Sequence, residues 1–214
     1  MKRRNFLSET AAAATLIFTG GAAFAQRVPP VEGKDFVRLK TDQPTTTPGK
    51  VEVLEFFSYA CPHCAAFEPE LEAWERHLPS DAVLKRVPVA FLMNAPLFQR
   101  TYYTLDTMGL VDKMQEKIFN AVHVEHARMN SPEDVAAVVG KNGGDSAAFL
   151  STFRTPSVDL AANRARKMTS DYAVDSVPSL VVQGRYLTSP AQAGGTKQAL
   201  WAVDGLIARA RKEQ

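Results

Sequence analysis

The chain has 214 residues, of which 45% are hydrophobic and 22% charged, the balance of a soluble globular protein and not of a disordered or fibrous one. Its 25 basic and 23 acidic residues leave a formal charge of +2, and the one basic run sits at the very start, so no nucleic-acid partner is expected. Two cysteines cannot make a disulfide scaffold, and a chain of this length does not need one to stay folded.

Lys2-Arg3-Arg4 opens the chain, Thr10 to Phe18 is apolar and Ala-rich, and Ala23-Phe24-Ala25 precedes Gln26. A basic start, a short apolar stretch and an A-x-A site make a secretory signal, with cleavage expected near Ala25. Gly20 and Gly21 interrupt the apolar run, which falls short of the ~20 residues that span a bilayer. Arg3-Arg4 followed by Phe6-Leu7 is also similar to a twin-arginine signal, so two export routes stay open. Residues 1–25 carry three basic residues and one acidic, and their removal leaves no net formal charge. An exported bacterial protein is thus expected, in a compartment where disulfides persist.

From Gln26 to Lys50 the chain is rich in Pro, Thr and Gly and reads as an extended arm with one short strand candidate at 36–39. Val51 to Phe57 is β-rich and nearly apolar on both faces, the pattern of a central strand. After Pro62, the residues Cys64, Phe67, Leu71, Trp74 and Leu78 recur at alternating spacings of three and four, one apolar stripe on a helix. Residues 83–89 read as a second strand that Pro88 confines to an edge or ends. Between Ala95 and Val174 the strand signal vanishes. Helical runs are broken there at Gly109, at Asn130–Glu133, at Gly143-Gly144 and at Thr155-Pro156, and Ser131, Pro132 and Asp134 make a helix start. Strand signal returns at 179–182, Gln183-Gly184 turns it into 185–187, and a last helix from Thr196 to Arg211 carries Leu200, Val203, Leu206 and Ile207 on one face. This order predicts an α/β core split by an all-helical insertion.

Cys61-Pro62-His63-Cys64 falls where the first long strand ends and its helix begins, and cysteines so spaced on a first turn can reach disulfide distance. Cys64 belongs to the apolar stripe and is expected to face inward. Cys61, at the N-cap before Pro62, is expected to face solvent. Unpaired N–H groups and the positive end of the helix dipole favour a thiolate at Cys61, and His63 can add positive charge or a hydrogen bond. Cys61 is therefore the expected attacking or attacked sulfur and Cys64 the resolving one. A structural disulfide is a weak alternative, because so short a loop constrains the unfolded chain little. A metal site of Cys61, Cys64, His123 and His126 is another, with a His spacing tighter than zinc sites use. Otherwise His77, His123 and His126 carry no motif, and Trp74 and Trp201 read as packing residues.

Glu55 shares a face with Val51, Val53 and Phe57 in the buried strand. A carboxylate there is costly to ionise, so its pKa is expected to rise and it could exchange a proton with Cys64. Pairing with a Lys or Arg at the sheet rim is the alternative.

The run Leu54-Glu55-Phe56-Phe57-Ser58-Tyr59-Ala60-Cys61-Pro62-His63-Cys64 resembles the active-site segment of the DsbA family of bacterial periplasmic thiol-disulfide oxidoreductases, and the resemblance covers the mature chain. C-P-H-C is specific to this family among thioredoxin-like proteins, which a bare C-x-x-C would not be. Pro69, five residues after Cys64, is similar to the proline that kinks this helix in thioredoxin. The resemblance implies a thioredoxin-like core of residues 26–94 and 175–214 with residues 95–174 inserted as a helical domain. It implies that Val177-Pro178 is a cis-proline loop lying against the sulfurs, where backbone groups of Val177 hold a substrate strand; from the residues alone, trans is the default. It also implies proton exchange for the acidic residue at the place of Glu55.

The activity it implies is donation of the Cys61–Cys64 disulfide to reduced, unfolded exported polypeptides in the periplasm, followed by reoxidation by a membrane quinone-linked, DsbB-like oxidase. Such a pair must be a strong oxidant, which a low Cys61 pKa provides. A disulfide reductase or isomerase is the alternative within the same chemistry, and a metal-binding module lies outside it. Isomerases of this compartment usually carry a dimerisation domain, for which the 26–50 arm is too short, so a monomer is expected. No cofactor and no metal is expected. By the same thiolate, the reduced protein is expected to melt above the oxidised one at pH 7.

Overall fold

The computed structural model describes residues 28–213; the expected signal segment and its cleavage point lie outside the described residues. The arm leads through the two-residue strand β1 (Val37–Arg38) into β2 (Val51–Phe57), every residue of which is buried. α1 (Pro62–Glu75) then crosses back so that β3 (Ala82–Pro88) pairs parallel to β2. On the other side of β2, β4 (Ser179–Val182) pairs antiparallel, and β5 (Tyr186–Thr188) continues the ladder, giving the sheet order β1-β5-β4-β2-β3. β3 is an edge strand, as Pro88 requires: a residue with no N–H leaves no gap where no neighbour is waiting. The β4–β5 turn has both central residues, Gln183 and Gly184, at positive φ, the hand that matches the twist of a hairpin. A Cβ at Gly184 would meet the backbone carbonyl of Gln43, so glycine is needed there on two counts.

Between β3 and β4 come five helices, α2 (Ala95–Thr107), α3 (Val111–His123), α4 (Pro132–Lys141), α5 (Ser146–Phe153) and α6 (Pro156–Asp171). α4 starts at the expected signal: Ser131 Oγ accepts from the Asp134 amide at 3.1 Å while Asp134 Oδ2 accepts from the Ser131 amide at 3.1 Å, a capping box. After β5 a short helix not foreseen from periodicity, α7 (Pro190–Ala193), is capped by Ser189, and α8 (Thr196–Lys212) closes the chain. Four residues are too few to show a helical period.

Side chains alternate across β2. Val51 and Val53 pack with Phe67 and Leu71 of α1 and with Val203 and Leu206 of α8, whereas Leu54 and Phe56 point the other way, against Ala165 of α6 and Tyr172. This two-residue period is what lets helices cover both faces. A third cluster joins Phe98 of α2, Ile118 and Phe119 of α3 and Val139 of α4 to Phe57, Tyr59 and both cysteines. The C-P-H-C turn therefore lies at the seam between the sheet and the five helices. No helix among the described residues is long and apolar enough to cross a membrane.

Candidate active site

At the end of β2 the chain turns sharply: the Cys61 amide donates to the Ser58 carbonyl at 3.0 Å and the Ala60 amide to Ser58 Oγ at 3.1 Å. Cys61 is the N-cap of α1, with extended φ −93° and ψ 114°, and Pro62 follows in the first turn, where its missing N–H has no partner to lose. The Cys64 amide donates to Cys61 Sγ at 3.3 Å. Sulfur thus replaces the oxygen of an ordinary N-cap side chain. Both cysteines are free thiols.

The expectation that Cys61 faces solvent is corrected here. Only 5% of Cys61 is exposed, Cys64 is fully buried, and Pro62 and His63 are the exposed members of the motif. The reason lies more than a hundred residues away: the Val177-Pro178 peptide is cis, and the loop sets the Val177 carbonyl 3.5 Å from Cys61 Sγ, which donates to it as a thiol. The cis bond is the one the resemblance implied.

The two thiols are driven in opposite directions. That of Cys61 is lowered to about 6, first by the hydrogen bond from the Cys64 side chain, against burial, and further by the amides of Cys64 and His63 and the charge of His63. Burial pushes the Cys64 thiol far up, and its hydrogen bond with Cys61 and the negative charge of Glu55 push the same way. At neutral pH one sulfur is a thiolate and its neighbour holds its proton, the division of labour that thiol exchange requires.

Beneath them lies a charged cluster. Glu55 is fully buried, and in the β2–β3 register it stands directly opposite Arg86. Arg86 Nε lies 3.3 Å from Glu55 Oε2, yet neither Glu55 oxygen nor Arg86 Nε has a hydrogen-bond partner, so the pair is a charge contact out of line for a bond. The other face of the guanidinium is better served: Arg86 reaches Glu68 Oε1 at 2.9 Å and Glu75 Oε2 at 3.0 Å. Burial first, then Glu68, raise the Glu55 carboxyl well above its ordinary value against the pull of Arg86. Burial opposes the Arg86 charge too, but Glu55, Glu68 and Glu75 more than offset it. The cationic partner of Glu55 is therefore real, but it sits inside the sheet–helix layer and not at an exposed rim.

Sequence reasoning missed Glu68, Arg86, Gln115 and Tyr59, and weighed His123 only as a metal ligand. Glu68 had a signal: it stands four residues after Cys64, on the buried stripe of α1. Arg86 had none before the strand register was known. His123 Nε2 contacts the Tyr59 carbonyl at 2.8 Å while His126 is exposed, and among the described residues no group of three or more His, Cys, Asp and Glu is arranged to hold a metal.

A thioredoxin family model matches residues 46–201. The chain is 40% identical over 207 residues to the thiol:disulfide interchange protein DsbA of Bordetella parapertussis, covering 96% of each chain, and 37% identical over 194 residues to that of Burkholderia cepacia, covering 90% of this chain and 92% of the relative. The crystal structure of Pseudomonas aeruginosa DsbA superposes with a TM-score of 0.81 at 35% identity, over 85% of this chain and 94% of that one. Identity sustained along nearly the full length of both chains, with the same thioredoxin-like fold behind it and the opposed thiols where sheet meets helix, means that this chain belongs to the DsbA family of thiol-disulfide oxidoreductases.

Proposed function

We propose that the chain works as an oxidant, donating its Cys61–Cys64 disulfide to reduced exported polypeptides in the periplasm. The observation that carries this is the opposition of the two thiols: Cys61 lowered to about 6 at a helix N-terminus and Cys64 raised by burial. A substrate thiolate attacks Cys61 Sγ in the disulfide, the S–S bond to Cys64 breaks, and Cys64 leaves and takes up a proton. A second substrate thiolate then attacks the substrate sulfur of the mixed disulfide and expels Cys61 as a stable thiolate. Two electrons have passed from substrate to protein, and the reduced pair returns them to a membrane quinone-linked, DsbB-type oxidase. A stable Cys61 thiolate is both a good leaving group and a reason for the pair to prefer the reduced state.

Pro62 and His63 shape and charge the turn. Val177, with its carbonyl at Cys61 Sγ, and Pro178 hold the substrate chain beside the sulfur, and a cleft of about 350 Å³ lined by His63, Phe67, Val177, Pro178 and Pro190 accepts its side chains. Residues 26–94 and 175–214 form the thioredoxin-like unit and residues 95–174 the helical insertion, exported by a signal removed near Ala25. The redox equilibrium with glutathione tests the reading. The protein is expected to be mostly reduced in mixtures that leave an ordinary protein disulfide intact; a pair that instead stays oxidised there would make the chain a reductant.

Glu55 is the proton partner of Cys64 in this scheme, its raised carboxyl keeping a proton available beneath a sulfur that must gain one. Glu55→Gln is expected to slow turnover about tenfold. That is less than the ~10²–10⁴ of a proton-transfer group with no substitute, since water can replace it in part. The Cys61 titration should move little. Steady-state oxidation of a reduced peptide across neutral pH is the measurement, and rates equal to the parent would leave Glu55 a structural residue.

A further inference from the structure

The turn that carries Cys61 is gripped from outside the sheet. α3 reaches Tyr59 twice: His123 Nε2 lies 2.8 Å from its carbonyl oxygen, and its hydroxyl donates to Gln115 Oε1 at 2.5 Å. A carbonyl oxygen only accepts, so Nε2 bears the hydrogen in the first contact. Positions 115 and 123 are eight apart, a little over two turns, so one side of the helix presents both. The grip is rigid at each end. The Tyr59 ring is fully buried and packs edge-on against Phe57, Phe98 and Phe119, while the His123 ring stacks on Phe119.

Tyr59 lies inside the Ser58–Cys61 turn, whose closing bond is the Cys61 amide to the Ser58 carbonyl at 3.0 Å. The contact between Cys61 Sγ and the Cys64 amide, at 3.3 Å, depends on where that turn delivers the sulfur. Hydrogen bonds weaken steeply with misalignment, so a turn free to rock would hold its thiolate less well.

We propose that His123 and Gln115 of α3 clamp Tyr59 and thereby aim Cys61 Sγ at the N-terminus of α1, so that a helix outside the sheet sets the oxidising power of the cysteine pair. His123 is a positioning residue and touches neither sulfur. The inference rests on the reading of Cys61 as the thiolate of an oxidant.

The test compares the parent with His123→Phe, which keeps an aromatic ring on Phe119 but has no donor, with His123→Gln, which restores a donor at similar reach, and with Tyr59→Phe, which deletes only the hydroxyl bound to Gln115. For each, thiolate absorbance of the reduced protein is titrated with pH and the glutathione equilibrium is measured. His123→Phe is expected to raise the Cys61 midpoint by about half to one pH unit, the scale of one hydrogen bond, and to shift the glutathione equilibrium ~3–10-fold toward the disulfide. Tyr59→Phe should move both in the same direction, and His123→Gln should return most of the parental values. A parental midpoint and equilibrium in both His123→Phe and Tyr59→Phe, whatever their melting temperatures, would overturn the clamp and leave the oxidant reading standing. A parent that titrates like a free cysteine would overturn both.

Discussion

Cys61→Ser is expected to lose all oxidation of a reduced client peptide, while Cys64→Ser keeps attacking disulfides and accumulates mixed disulfides through Cys61. The loss in the first variant is complete because a hydroxyl forms no S–S bond, and the remaining Cys64 is fully buried with its thiol pushed far up. In the second variant Cys61 keeps the amide of residue 64 and the positive end of α1, so its thiolate survives, but nothing resolves the intermolecular bond it makes. Gel analysis without reductant reads the trapped species directly. Alkylation of the reduced parent at about pH 6 is the independent check: Cys61 is about half thiolate there, and Cys64 is not ionised. Labelling of Cys64 first would reverse the two roles.

The second large effect is on stability, and it separates the reduced from the oxidised protein by pH. Only the reduced form has a Cys61 thiol to titrate. Its pKa falls from an ordinary 9.0 to about 6 on folding, so its contribution is fully present above 9 and is lost as pH falls through 6. Linkage over that window makes the thiolate worth almost nothing at pH 5, about 1.4 kcal/mol at pH 7 and about 2.7 kcal/mol at pH 8. Cys64 is raised because burial penalises its thiolate, so it adds nothing below 9, where folded and unfolded chains both hold the proton, and counts against the folded form only above, outside the range used. The opposing quantity is loop closure by the disulfide, about 2 kcal/mol for so short a loop. The two cross between pH 7 and pH 8, so the order expected at pH 7 from the sequence becomes near equality. The oxidised protein should melt higher at pH 5 and the reduced protein at pH 8, with the difference moving by roughly 5–10 °C for a chain of this size. Melting curves of both forms at pH 5, 7 and 8 decide it, and a difference that does not change with pH would mean that Cys61 is not the low-pKa thiol.

Apart from the short α7, the elements were legible because each announces itself locally. The apolar run of β2, the three-and-four stripe of α1 and the capping residues of α4 are properties of neighbouring positions, and periodicity and caps report them directly. The motif and its placement were legible for the same reason, since Cys61 at an N-cap before Pro62 needs only the strand–helix junction to be found. With them came the direction of the Cys61 shift and the rise at Glu55, because a helix terminus and a buried strand are themselves local facts.

What tertiary structure alone decided are contacts between segments far apart in the chain. Arg86 faces Glu55 because β3 pairs with β2 in one register, and a shift of one residue would have turned it to the other face. The Val177 carbonyl closes over Cys61 from across 116 positions, which is why a residue expected at the surface is 5% exposed. His123 and Gln115 meet Tyr59 because α3 packs at the seam beside α1. Burial, charge pairing and the aim of a hydrogen bond depend on distance in space, and sequence periodicity carries no distance beyond its own element.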